Sequence, residues 1–96
     1  KMKKGIFEDY VTKVVTLFAI TKEELFAKSK RRDLVDARHL LYYLCYHRPM
    51  QIRYIQNYMA ENGYSVGHSS IIHGINQVSA KTTEDKDYEN VCHNLT

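Results

Sequence analysis

Residues 62–77, which read NGYSVGHSSIIHGINQ, concentrate side chains that can form specific hydrogen bonds. An Asn-Gly turn signal is followed by Gly67, His68 and two serines, and aliphatic residues then recur at helical spacing from Ile71 onward. The polar residues are therefore predicted to occupy the first turn of a helix. That turn exposes unpaired backbone N–H groups and the positive end of the helix dipole, where phosphates and other acceptors can bind.

The rest of this helix has a polar side as well as an apolar one. If Ile71, Ile75 and Val78 point inward, the outward stripe contains the following residues: Ser69, Ser70, His73, Asn76 and Gln77. Each can donate or accept hydrogen bonds, and none carries a full charge at neutral pH. This set suits the floor of a DNA groove, where donors and acceptors of the base edges must be matched. The alternative interpretation is that the serines only cap the helix and that His68 is a turn residue.

Positive charge is concentrated in one part of the chain. The whole protein has a net charge of +3, whereas residues 28–53 contain seven lysines and arginines against two aspartates, a net charge of +5. Residues 54–80 contain a single charged side chain, Glu61. Such a concentration predicts a polyanionic partner, although the run KSKRR at 28–32 could also be an ordinary solvated loop.

Hydrophobic periodicity predicts an all-α fold of about six helices. The first three are expected at residues 6–19, 22–28 and 34–47, the second with a capping box formed by Thr21 and Glu24. A fourth runs from about residue 52 to the Asn-Gly pair at 62–63, a fifth starts near His68, and Thr83 is expected to cap a sixth that reaches Leu95. Residues 1–96 are predicted to form one compact domain, with a helix-turn-helix at about 50–80.

Several classes of protein are disfavoured by the sequence. No apolar run approaches the roughly 18 residues of a membrane span, so membrane contact is not expected. The phosphate-binding motif GxxxxGK[ST] is absent, so a nucleotide cofactor is not expected either. His68 and His73 would lie about 140° apart around a helix, and no ligand set accompanies them, so no metal or other cofactor is expected. Cys45 and Cys92 are interpreted as free, partly buried thiols of a cytoplasmic protein. No catalytic group is apparent, and no enzymatic activity is predicted.

Two stretches resemble a known family. HSSIIHGI, residues 68–75, resembles the His-[Ser/Thr]-Thr-Val-x-His signature of the C-terminal DNA-binding domain of the bacterial replication initiator DnaA, which has a Trp-repressor-like helix-turn-helix. KRRDLVDARHLLYYL, residues 30–44, is similar to the basic loop and following helix of that family. The likeness covers roughly residues 6–95, and its specific part is confined to 30–46 and 68–74.

The resemblance implies roles for individual residues. His68, Ser69 and Ser70 would contact bases and backbone in the major groove, on the face that also carries His73, and either Arg31 or Arg32 would enter the minor groove. Phosphate contacts are implied for Arg38 and His39, and the charge pattern adds three more candidates: Lys28, Lys30 and Arg48. Double-stranded DNA is therefore the expected partner.

The chain also departs from the family pattern. Val66-Gly67 stands where the family has Arg-Asp, Ala37 replaces a proline, Tyr46 replaces a lysine, and the segment between Met59 and His68 is longer. Recognition of the family's usual DNA box therefore does not follow.

The sequence leaves several roles open for such a domain. Origin recognition in replication and transcriptional regulation both fit a stand-alone domain of this kind, in the bacterial nucleoid or, for a phage-encoded protein, in the host cytoplasm. A helical adaptor that binds an acidic protein is the alternative from another class, and binding of structured RNA is a weaker one.

Overall fold

The structure of the protein, a computed structural model, describes residues 2–96 and contains six α-helices and no strand within that range. The helices are α1 (Lys3–Phe18), α2 (Lys22–Leu25), α3 (Arg32–Tyr46), α4 (Ile52–Glu61), α5 (His68–Glu84) and α6 (Lys86–Leu95). The all-α prediction is confirmed, and so is the start of α5 at His68. The second helix is shorter than predicted and ends at Leu25 instead of residue 28.

Local hydrogen bonds explain where the helices begin and end. The predicted capping box of α2 is present: the Glu24 N–H donates to the Thr21 hydroxyl (3.0 Å), and the Thr21 N–H donates to the Glu24 carboxylate (2.8 Å). After α4 the chain turns at Gly63, whose φ of 86° lies in the left-handed region that glycine adopts without steric cost.

The predicted start of the sixth helix was wrong. Thr83 lies inside α5, where its hydroxyl donates to the Ser79 carbonyl oxygen (3.0 Å). The residue that caps α6 is Asp85, whose carboxylate accepts the N–H groups of Asp87 (3.0 Å) and Tyr88 (3.2 Å). A carboxylate at this position is a strong cap and also interacts favourably with the helix dipole.

Helix α3 is the centre of the fold, because it packs against α1, α2, α4 and α5. One core of apolar side chains joins these helices; its largest fully buried members are Phe7, Leu25, Leu34, Leu40, Leu41, Leu44, Ile55, Met59 and Ile71. In α1, Tyr10 and Val14 are buried in this core, whereas Leu17 is 46% exposed.

Gly74 allows α3 and α5 to pack at short range. A Cβ atom at this position would lie 2.7 Å from Cδ2 of His39 and 2.9 Å from Cδ2 of Tyr42, both on α3. These distances are too short for carbon atoms that are not bonded to each other. The glycine therefore brings the first turns of α5 close to α3 and fixes which side chains of the two helices become neighbours.

Candidate nucleic-acid interface

The first three turns of α5 expose the side chains that the sequence assigned to the outside. Ile71, Ile75 and Val78 are buried, whereas the whole polar stripe is exposed: Ser69, Ser70, His73, Asn76 and Gln77. The residue that precedes the helix as its N-cap is Gly67, which has no side chain with which to cap it. Within residues 2–96 the two serine hydroxyls form no hydrogen bond, so the alternative in which they only cap the helix does not fit the structure.

The start of α5 and the basic segment before α3 face each other across one groove. We define the basic loop as residues 26–31 and the connector as residues 62–67. The groove has a volume of about 680 Å³, and its three walls are the basic loop, the connector and the first turns of α5. Among the lining side chains are Lys28, Lys30, Ser69, Ser70 and His73. The two segments that the sequence identified separately thus belong to one surface.

Lys28 and Lys30 are the available cations of the basic loop. Both are exposed, and neither forms an ion pair with another residue in the described part of the chain. Arg32, the first residue of α3, is also accessible: its side chain is 88% exposed and its nearest carboxylate oxygen, Oδ2 of Asp36, is 3.7 Å away. These three side chains can therefore turn toward a polyanion without breaking a strong contact.

Arg31 differs from Arg32 because two carboxylates already hold its guanidinium group. Its Nε donates to Oδ1 of Asp33 (2.8 Å), and its Nη2 donates to Oε2 of Glu24 (3.2 Å). The hydrogen bond from Arg31 holds the pKa of the Asp33 carboxyl below its usual value. Of the two arginines that were candidates for a minor-groove contact, Arg32 is the one whose guanidinium group is not held by two carboxylates.

Arg38 does not have the position that a phosphate contact requires. Its side chain is only 3% exposed, and the guanidinium group donates to backbone carbonyl oxygens of Leu25 (2.7 Å), Ala27 and Ser29 (3.0 Å). Burial is possible because these acceptors satisfy the charged group in place of water. The expectation of a direct phosphate contact by Arg38 is corrected: this residue lies beneath the basic loop.

His39 lies at the base of the groove beside His73. The two imidazole rings meet edge to face, with centroids 5.7 Å apart. Burial, and then the neighbouring His73, lower the pKa of His39, so its ring is mostly neutral at pH 7. A neutral imidazole can donate one hydrogen bond to a phosphate but adds no charge to the groove.

Arg48 lies away from the groove. It follows the C-terminal end of α3, which has 15 residues and is therefore about 22 Å long, whereas the basic loop precedes the other end. Arg48 lines a separate cavity with Asp9, Lys13 and Thr96. The expectation that Arg48 contacts the same polyanion as the basic loop is therefore corrected.

The exposed face of α4 carries polar residues to which the sequence pattern had given no role. Arg53 and Asn57 are exposed there, one helical turn apart, and line a small cavity with Ser65 and Val66 of the connector. Gln56 fastens the connector to this face, because its Nε2 donates to the Val66 carbonyl oxygen (3.0 Å). The i, i+4 spacing of Arg53 and Asn57 places both side chains on one face of a helix, and this spacing is the sequence signal that could have identified this surface.

Residues 2–96 contain neither a metal-binding cluster nor a membrane-spanning helix. No group of three or more His, Cys, Asp or Glu side chains there is arranged to hold a metal ion, and both cysteines are free and buried. None of the described helices combines the length and apolar character needed to cross a membrane. Comparison of the chain with protein families, curated proteins and solved structures finds no match.

Proposed function

We propose that this protein binds double-stranded DNA with a preference for particular sequences. In this proposal α4, the connector and α5 act as a helix-turn-helix, and the N-terminal turns of α5 enter the major groove. The observation that carries the proposal is the single groove lined by Lys28 and Lys30 on one side and by Ser69, Ser70 and His73 on the other. Cations fix a protein on the phosphate backbone, and uncharged donors and acceptors read base edges.

The distribution of charge on this surface supports a duplex partner. Ser65 and Val66 line both the groove and the small cavity beside α4, so the connector separates the basic loop from Arg53. Positive side chains therefore lie on both sides of the connector that leads into the uncharged start of α5. A major groove has the matching arrangement, since its floor of base edges is bordered by two phosphate strands.

The likeness of HSSIIHGI and KRRDLVDARHLLYYL to the DnaA C-terminal domain supports a role in replication-origin recognition or its regulation. A transcriptional regulator could use the same surface. Either role is carried out on DNA, which favours a location in a bacterial nucleoid or, for a phage protein, in the host cytoplasm.

Selection of duplexes from a randomised pool, followed by binding measurements at two salt concentrations, tests the proposal. We expect an enriched motif and an affinity that falls steeply with salt, as phosphate contacts require. Salt-dependent binding without any enriched motif would contradict sequence preference. Two results together would instead favour the adaptor alternative. The protein would bind no duplex, and it would capture an acidic protein that the S69A/S70A variant binds equally well.

A further inference from the structure

The buried guanidinium group of Arg38 connects two segments that are distant in sequence. Its three hydrogen bonds go to the carbonyl oxygens of Leu25, Ala27 and Ser29, which alternate along the end of α2 and the basic loop. Arginine presents several N–H donors in a rigid plane, so one side chain can hold all three oxygens, whereas a lysine ammonium on a flexible stem cannot reproduce this geometry.

The other side of the same group contacts the connector. The Cζ atom of Arg38 lies 4.6 Å from the centre of the Tyr64 ring, a cation–π distance. No carboxylate in the described part of the chain forms an ion pair with Arg38, so the carbonyl oxygens and the ring are its partners. The guanidinium therefore lies between the basic loop and the segment that leads into α5.

We infer that Arg38 is the positioning residue that sets the basic loop in register with the start of α5, and that Tyr64 is its partner on the connector. Loss of either side chain would leave Lys28 and Lys30 charged and exposed but would release them from a fixed distance to Ser69 and Ser70. The consequence for DNA rests on the proposed function. The consequence for the order of the loop does not.

Amide hydrogen exchange of the free protein tests the inference without DNA. The readout is the exchange of the Ala27 and Arg31 amides, which donate to Glu24 O (3.2 Å) and Ser29 Oγ (3.1 Å). We expect R38K and Y64L to accelerate both by about tenfold while the core amides of α1, α3 and α5 keep their protection, as in local opening. Y64F, which keeps the ring, is the matched control and should resemble the wild type.

Two results of this exchange experiment would overturn the inference. One is loop exchange in Y64L equal to that of the wild type. The other is a parallel acceleration across all helices in both R38K and Y64L, which is the signature of global destabilisation and not of loop release.

A double-mutant cycle tests the effect on binding. The substitution pair K28A/K30A is made in the wild type and in Y64L, and duplex affinity is measured for all four proteins. If Arg38 and Tyr64 hold the lysines in place, K28A/K30A should reduce duplex affinity about threefold or less in Y64L but considerably more in the wild type. The reason is that the effects of residues that act as a unit are not additive. Equal losses in both backgrounds would overturn the inference. A wild type that binds no duplex would refute the proposed function instead, and the exchange experiment would then decide the inference alone.

Discussion

Removal of Lys28 and Lys30 together is the perturbation whose size follows most directly from the structure. Both side chains are exposed at the groove and neither has an ionic partner among residues 2–96, so each is free to contact one phosphate. Each phosphate contact changes the slope of log K against log salt by about 0.9. Relative to 1 M salt, where the contribution of the contact is taken as zero, this slope amounts to about fivefold in affinity at 0.15 M salt. For K28A/K30A we therefore expect a slope change of about 1.8 and an affinity loss of about 30-fold at that salt concentration.

Fluorescence anisotropy of a labelled duplex at 50, 100 and 200 mM salt provides the measurement. The matched control is K13A/R48A, which removes the same charge from the separate cavity at the other end of α3. Charges farther away than the Debye length, about 8 Å at 0.15 M salt, are largely screened, so the control should bind almost as the wild type does at the higher salt concentrations. An unchanged slope in K28A/K30A, or an equal loss in K13A/R48A, would refute the placement of the backbone contacts at the basic loop.

Three further predictions concern the fold that supports this surface. G74A should lower the free energy of unfolding by about 1 kcal/mol, because overpacking against His39 and Tyr42 costs about 1–3 kcal/mol and the better helix propensity of alanine returns about 1 kcal/mol. Urea unfolding that shows G74A to be more stable than the wild type would contradict the close packing of α3 against α5. Burial lowers the pKa of His39, so the unfolded chain binds more protons at this residue, and stability should fall as the pH drops through the unfolded pKa of about 6.5. H39Q should lack this part of the pH dependence, and identical urea midpoints for H39Q and wild type across that pH range would contradict the prediction. Burial raises the pKa of the Cys45 thiol to about 12, so a disulfide reagent at pH 8 should react far more slowly with the folded protein than with the unfolded one. The measurement is made with Cys92 replaced by serine so that only Cys45 reacts, and equal rates would disprove the burial.

Helix positions were largely predictable because apolar residues at helical spacing and local caps are signals within a few residues of one another. The capping box at Thr21 and Glu24 is of this kind.

The boundary between α5 and α6 was not predictable in the same way. Apolar spacing in α5 fades after Val78, and both Thr83 and Asp85 are possible caps, so the choice depended on how far α5 continued. Asp85 is the stronger cap because it is charged and accepts two backbone N–H groups.

The burial of Arg38 had a local signal in the sequence. Leu34, Ala37, Arg38 and Leu41 follow the i, i+3, i+4, i+7 spacing of a buried helix face, so Arg38 lies on the apolar side of α3. The resemblance of this stretch to the DnaA family instead implied an exposed phosphate contact. The carbonyl oxygens that satisfy it belong to residues 25–29, and no pattern around Arg38 reveals such partners.

The shared groove could be hypothesised from the sequence but not constructed from it. Exposure of Ser69, Ser70 and His73 followed from the periodicity of α5, and the charge of the basic loop followed from composition. Their meeting across one groove depends on the packing of α3 against α5 at Gly74. A glycine inside a helical pattern indicates close packing, but the sequence does not say which helix the close neighbour is.

Reading of bases by the start of α5 is the central claim, and the affinity of S69A/S70A for a selected duplex and for a random one tests it most directly. The two substitutions remove hydroxyl groups without changing charge, and alanine is a good helix former, so the fold and the phosphate contacts should persist. We expect a loss of about 1–3 kcal/mol on the selected duplex and almost none on the random one. Equal losses on the two duplexes, or no loss on either, would contradict the claim.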